Sequence, residues 1–288
     1  MSVNEAILVT GASGHLGQLI LDALLKLECK HVIATTRTPA KLASYARRGV
    51  EVRPTDFTIA LSLVDAFRGA TRMLLISTSA VGARVAHHQR AIAAARKAGI
   101  RHIVYTSWPN PDKSLAAVAS DHATTERDIK ESGLKYTFLR NYTYAENLLY
   151  FVPAAVETGT LYGSAGDGKV AFVARQDCAN AATIALIAAD RYENAILDIT
   201  GPVAHSFSDI ARIVGEIKRK KIVYTDLSPE EYKSILMKDS FLAPHADIFV
   251  SIHRAYRQGE LAKVSDAVWR LSGGEPQNLM EFLSIKLK

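Results

Sequence analysis

From residue 6 to about residue 140, short apolar runs alternate with stretches in which apolar residues recur every three to four positions. The first run, Ala6-Ile7-Leu8-Val9-Thr10, has strand composition, and Leu16, Leu19, Ile20, Ala23, Leu24 and Leu27 follow it at helical spacing. The same alternation then repeats. His31–Thr36 reads as strand two and Pro39–Arg48 as a helix with proline near its first position. Val50–Arg53 reads as a short strand three, Ala60–Phe67 as a helix, and Met73–Ser77 as a buried strand four. A helix from about Ala83 to Lys97 ends at Gly99, Ile103–Ser107 is strand five, Ala119–Glu131 a helix and Tyr136–Leu139 strand six. Alternating strands and helices predict a parallel sheet covered on both faces.

The expected fold is therefore α/β: a Rossmann-type, doubly wound parallel sheet with strand order 3-2-1-4-5-6. Beyond Arg140 the pattern loses its regularity. A helix over about Ala145–Glu157, a Tyr162–Gly168 loop, a helix over about Asp177–Ala189 and a strand at Ile196–Thr200 precede a mainly helical remainder, with Ile222–Tyr224 as a short strand. This predicts a small, mainly helical C-terminal substrate lobe. The expected division is residues 1–140, with 176–203 returning to them, as the domain that carries the sheet, and 141–175 with 204–288 as the lobe.

The turn after the first strand carries the chemistry. Gly11, Gly14 and Gly17 stand at Gly-x-x-Gly-x-x-Gly spacing between strand and helix. That spacing closes a tight turn, lets the backbone approach a pyrophosphate and lets the helix pack on the strand. The helix N-terminus then offers N–H groups and a positive dipole end to the phosphates.

Strand two ends Ala34-Thr35-Thr36-Arg37, without the carboxylate that usually holds the ribose hydroxyls of NAD. Arg37 lies where a guanidinium pairs with a 2′-phosphate, so NADP(H) is the expected cofactor. Asp56 and Phe57, after strand three, are the expected flank of the adenine.

Composition narrows the partners. Of the 288 residues 48% are hydrophobic and 22% charged, as in a soluble globular protein, and no run approaches the roughly 20 apolar residues of a membrane span. The formal net charge is +6, but the positive residues are dispersed. The densest run, Lys218–Lys221, ends an apolar helical pattern, where cations complement the helix dipole. Neither nucleic acid nor membrane is expected. The first strand begins too early for a signal peptide, and Cys29 and Cys178 lack paired spacing, so a cytoplasmic protein with reduced thiols is expected.

Several segments carry a family resemblance: TGASGHLG at 10–17, His87-His88 followed by AIAAARKAGIRHIVYTS, and His122-x-x-Thr125-Glu126. It continues through Tyr136 to Arg140-Asn141-x-x-Tyr144-x-Glu146-Asn147 and Ala165-Gly166-Asp167-Gly168-Lys169. The chain resembles the atypical short-chain dehydrogenases of the NmrA-like group, within it the quinone and triphenylmethane reductases. The resemblance spans nearly the whole chain and weakens after about Thr200. It implies that Gly11, Ser13, Gly14, His15, Leu16 and Gly17 hold the pyrophosphate and Arg37 the 2′-phosphate. Ser77, Thr78 and Ser79 would border the cofactor, while Ser107, Trp108, Asn141 and Tyr142 would flank the nicotinamide and the acceptor. His87 departs from the glutamine common in the quinone reductases, and His88 keeps the group's histidine.

One absence is informative. Short-chain dehydrogenases that reduce carbonyls use a Tyr-x-x-x-Lys pair, and none of the 11 tyrosines has lysine four positions on. An electron-poor conjugated acceptor, such as a quinone, takes hydride without a dedicated acid. His122, on the helix after strand five, is the polar candidate for orientation or proton delivery, against a structural histidine bonded within its own helix. Tyr142 and Tyr144 are candidates for stacking on a planar acceptor, or for the core. His88 is expected to pack or to bridge to neighbouring backbone. No spacing suggests a metal, and none suggests a Ser/His/Asp nucleophile. The expected function is an NADPH-dependent reductase of quinone-like, small conjugated acceptors; a homodimer is compatible with it. The alternative is an NADP(H)-binding redox sensor of the NmrA-like kind, without turnover.

Overall fold

A computed structural model describes residues 5–80 and 82–288. The sheet expected from the alternation is present. Strands β1 (Ile7–Val9), β2 (Val32–Thr36), β3 (Glu51–Pro54), β4 (Arg72–Leu75), β5 (His102–Ser107) and β6 (Lys135–Asn141) run in the order β3-β2-β1-β4-β5-β6, and each adjacent pair is parallel. A further strand, Ala195–Ile199, numbered β9 in chain order, extends the order beyond β6. β1, β2, β4 and β5 are buried throughout, whereas β3 at the edge is half exposed. That gradient is what layers on both faces of a parallel sheet produce.

The crossovers are helices α1 (His15–Lys26), α2 (Ala43–Arg47), α3 (Ala60–Phe67), α4 (Arg84–Ala98) and α5 (Ala119–Glu131). One core joins Leu8, Met73, Ile103 and Phe138 of the strands to Phe67, Ile92 and Ile129 of the helices. The helix expected over residues 39–48 differs. Pro39–Leu42 forms a 3-10 turn, and Leu42, at φ −111°, separates it from α2. Strand four stops at Leu75, which leaves Ser77 in the following loop.

The chain divides into two compact units. The first holds the residues up to Trp108, Asp121–Arg140 and Gln176–Leu197; the second holds Pro109–Ser120, Asn141–Arg175 and Asp198–Lys288. In the first unit, Arg72 on β4 donates to the carbonyls of Leu186 and Ile187 at the end of a later helix, Arg175–Ile187 (α7 in chain order).

In the second unit, Pro109–Ser120 is tied back by Leu115 N–H to Glu260 and Ala117 N–H to Ser251. The helix expected over residues 145–157 is two pieces: a 3-10 turn Ala145–Tyr150 and α6 (Val152–Thr158), with Pro153 in the first helical turn. β7 (Thr160–Gly163) pairs parallel with β11 (Val223–Asp226), and β8 (Lys169–Val170) pairs antiparallel with β10 (His205–Ser206). Helices α8 (Phe207–Lys218), α9 (Pro229–Leu236), α10 (Ala246–Arg257), α11 (Ala267–Ser272) and α12 (Leu279–Lys286) complete it. Capping boxes start α8 and α9: the Ser206 and Ser228 hydroxyls each accept from the third N–H, and Asp209 and Glu231 reach back. Lys218 lies in the last turn of α8, where its charge complements the dipole.

Candidate functional site

Within the first unit, the carboxyl ends of β1 to β4 surround a pocket of about 400 Å³. Open α/β sheets hold their ligands at this end of the strands. Gly11, Ser13 and Gly14 form one wall, Thr36, Arg37 and Thr38 a second, Asp56 and Phe57 a third, and Ser77, Thr78 and Ser79 a fourth. The structure thus brings nine of the expected cofactor-binding residues around one cavity.

The glycine loop owes its shape to two positions. Gly11 has φ +60°, in the left-handed region that side chains disfavour. At Gly17 a Cβ would lie 2.6 Å from the Gly11 carbonyl oxygen and 2.7 Å from Ala12 Cα, so any side chain would push α1 off the loop. Gly14 is different: its φ of −77° suits any residue, and a Cβ there would meet only the Gly11 carbonyl oxygen, at 3.3 Å. Gly14 is also the N-cap of α1 and has no side chain to cap it, which leaves the positive dipole end to a ligand. His15, Leu16 and Gly17 form the first turn of α1 and do not line the pocket. The Leu16 side chain is buried, so only its backbone is suited to a polar ligand.

Around the end of β2, Ser13 Oγ and Thr36 Oγ1 share a 2.7 Å hydrogen bond that joins two walls. Arg37 and Lys41 both line the pocket and are exposed, and His87 lines it from α4. Among the described residues lining the pocket, Asp56 is the one carboxylate. The N–H and hydroxyl of Thr58, each at 2.8 Å, hold its pKa below the usual range, helped by the charge of Arg37. Thr36, Thr38 and Lys41 were not expected at the site from the sequence, and His87 was noted there only as a departure from the group's glutamine. Lys41, one turn beyond Arg37 in a proline-started helix, was the available signal.

His87 and His88 part company as adjacent helical residues must. His88 is fully buried; its Nε2 accepts the Thr78 N–H at 3.2 Å, and its Nδ1 is 2.9 Å from Thr125 Oγ1. Burial, then the charges of Arg84 and His87, lower its pKa to about 3, so the ring is neutral.

α5 presents a polar face to β5. His122 does not bond within its own helix; Nδ1 shares a 2.8 Å hydrogen bond with the buried Tyr105 hydroxyl, and burial holds the ring's pKa well below its ordinary value. It is not among the residues lining the pocket. Four positions on, Glu126 accepts the Ser107 hydroxyl at 2.6 Å and two donors of Arg140 at 3.0 and 2.8 Å. Neither Ser107 nor Trp108 lines the pocket.

Asn141, Tyr142 and Tyr144 belong to the second unit. Asn141 Nδ2 donates to the Tyr144 hydroxyl at 3.2 Å, while Asn141 Oδ1 is buried with no hydrogen-bond partner. The Arg175 guanidinium stands 5.0 Å over the Tyr144 ring, and Glu146 accepts the Arg175 N–H. Tyr142 is buried. In the 163–168 loop, Ser164 N–H donates to His253 Nδ1, Ala165 N–H to the Tyr224 hydroxyl and Gly166 N–H to Asp226. Among the described residues, no three His, Cys, Asp or Glu side chains are grouped to hold a metal, and no helix is long and apolar enough to cross a membrane.

An uncapped helix start, a close-packed glycine loop, two basic side chains and the partnerless Thr78 hydroxyl fit a phosphorylated dinucleotide. The comparisons with known proteins agree. Quinone oxidoreductase 2 of Escherichia coli is 34% identical over 279 residues, covering 96% of this chain and 97% of that one. Its crystal structure, an NADPH-dependent quinone oxidoreductase complexed with NADPH, superposes with a TM-score of 0.94 at 33% identity, over 98% of this chain and 100% of that one. The Citrobacter sp. triphenylmethane reductase complexed with NADP(H) gives a TM-score of 0.90 at 33% identity, over 98% and 99%. The NmrA-like family matches residues 3–283, and this chain belongs to it.

Proposed function

We propose that this protein is an NADPH-dependent reductase that delivers hydride to quinones or similar small conjugated acceptors. The observation that carries the reading is the end of β2: Arg37 and Lys41 stand there beside the pocket, with no carboxylate among the residues of that wall. The bound cofactor supplies the hydride. Gly11, Ser13 and Gly14 would bind its pyrophosphate through backbone N–H groups and the α1 dipole. Arg37, with Lys41 beside it, would pair with the 2′-phosphate, and Asp56 and Phe57 would flank the adenine. Ser77, Thr78 and Ser79 would border the inner half of the cofactor. Ser107, whose proton is committed to Glu126, would act there as an acceptor of hydrogen bonds. Asn141 and Tyr144 would orient nicotinamide or acceptor. No residue need deliver a proton as hydride moves, because the electron-poor acceptor stabilises the charge itself. We assign the protein to the cytoplasm; a homodimer is compatible with this reading.

Steady-state oxidation of NADPH and NADH against a panel of quinones and an unactivated ketone tests the reading. Turnover with quinones, preference for NADPH and inactivity with the ketone are expected; efficient ketone reduction overturns it. One observation favours a second reading, a sensor that binds NADP(H) without turnover: the histidine best suited to proton delivery, His122, is buried against Tyr105. Tight NADPH binding with no turnover across the panel would select it.

A further inference from the structure

Thr78 lines the pocket, and both of its backbone groups are held from behind by one helix. Its N–H donates to His88 Nε2 at 3.2 Å, and its carbonyl accepts from Arg84 Nε at 2.8 Å. Arg84 and His88 are four apart on α4 and so share a face. Each is braced by α5, again by residues four apart. Arg84 donates to Asp121 Oδ2 at 3.0 Å, and His88 Nδ1 meets Thr125 Oγ1 at 2.9 Å.

The bonding fixes the imidazole's proton. Nε2 must accept, because an amide N–H can only donate to it; the neutral ring therefore carries its hydrogen on Nδ1 and donates to Thr125. The Thr125 hydroxyl passes its own hydrogen to the Asp121 carbonyl at 2.8 Å, so every donor in the row has an acceptor. Arg84, His88 and Thr125 are all buried, where such bonds are short of competing water. Thr78 Oγ1 stands apart from this satisfied network: it is buried and has no partner.

We propose that Arg84 and His88 are positioning residues that clamp the Thr78 peptide units and so hold the Thr78 hydroxyl and the 76–80 wall in register for the dinucleotide. This rests on the reading of the pocket as an NADPH site. The clamp leaves nothing of Thr78 to move except the side chain that faces the ligand. It also accounts for the adjacent histidines: His87 serves the pocket surface while His88 braces its wall from within.

The test is equilibrium titration of NADPH into wild type, His88→Leu, His88→Gln and Thr125→Val, read by cofactor fluorescence. Alongside it, amide hydrogen exchange across residues 76–80 is measured without nucleotide. Leucine keeps the bulk and loses both bonds, which leaves a buried N–H unmatched. His88→Leu is expected to weaken NADPH about tenfold, within the range for an unsatisfied buried donor, and to expose the Thr78 amide to exchange. Glutamine places an acceptor oxygen near the position of Nε2 and should restore most of the affinity and the protection. Thr125→Val, nearly isosteric, should fall between them, and it carries the test if His88→Leu does not fold. The losses should appear in KM for NADPH rather than in kcat. Unchanged affinity and protection in a folded His88→Leu protein overturn the clamp, as does a His88→Gln protein no better than His88→Leu. A wild type that binds no NADPH overturns the cofactor reading instead; the exchange arm then still decides whether His88 holds Thr78.

Discussion

At the scale of single residues, the charge beside β2 and the histidine behind β5 make opposite demands. Arg37 is exposed, so its replacement should leave the fold intact and act on the ligand alone. A bidentate, charge-assisted contact is worth about 1.5–3 kcal/mol. Arg37→Ala should therefore lower the preference for NADPH over NADH by roughly 10- to 100-fold, with Lys41 keeping a remainder; titration of both nucleotides measures it, and an unchanged preference would remove Arg37 from the 2′-phosphate. His122 is the reverse case, buried and bonded to Tyr105. A true proton donor is worth about 10²–10⁴-fold. His122→Ala should lower the melting temperature yet cost less than about 10²-fold in kcat/KM with a quinone. Loss beyond that, together with disappearance of a pKa from the pH–rate profile, would make His122 the acid after all.

Between elements, the contact of α1 with the β1 turn decides whether a pocket exists. Because a Cβ at Gly17 would overlap backbone of Gly11 and Ala12, Gly17→Ala must shift the helix rather than a side chain. We expect it to destabilise the fold by about 2–4 kcal/mol, as overpacking against backbone does, and to weaken NADPH as well. Gly14→Ala should be milder in stability, since only one carbonyl oxygen lies near. Denaturant midpoints of the two variants make the comparison, and equal losses would contradict the packing. The glycine spacing was plain in the sequence, but the division of labour among the three glycines was not. It depends on φ angles and on a contact five residues along the chain. The Arg84–Asp121 and His88–Thr125 braces were hidden for a similar reason: each joins residues 37 positions apart on two different helices. Helical spacing shows which residues share a face, but not which face a neighbouring helix will meet.

For the whole molecule, buried histidines link stability to pH. Burial lowers His88 and His253 to about 3 and His102 to about 4, while an unfolded histidine titrates near 6.5. Above that value neither state carries the extra proton, so these groups add no pH dependence. Below it the unfolded chain takes up protons that the folded chain refuses, and stability falls as the pH drops from about 6.5 toward 4. Each ring contributes a slope of up to about 1.4 kcal/mol per pH unit. Denaturation curves at pH 7, 6 and 5 should show the fall, shallower by up to that amount in His88→Gln; a slope equal to wild type would mean that His88 titrates normally when folded. At this scale the sheet was legible, because buried parallel strands write unbroken apolar runs. The second unit was less so. Its 163–168 loop takes its shape from His253, Tyr224 and Asp226, partners roughly 60–90 residues away, and no local pattern records them.

The hydrogen bonds from Arg72 to Leu186 and Ile187 have a consequence in time. The first unit's sheet is begun by residue 7 but finished only by α7 and β9, and the whole stretch Asn141–Arg175, which belongs to the other unit, is translated in between. At about 5–20 residues per second, a ribosome needs a few seconds to cross that stretch. Meanwhile β6 waits with one side of its backbone unpaired, and Arg72 on β4 waits for the Leu186 and Ile187 carbonyls. An unpaired strand edge is a template for another chain. The nascent protein is therefore most vulnerable to association in that interval, and a fragment ending at residue 140 would make the interval permanent.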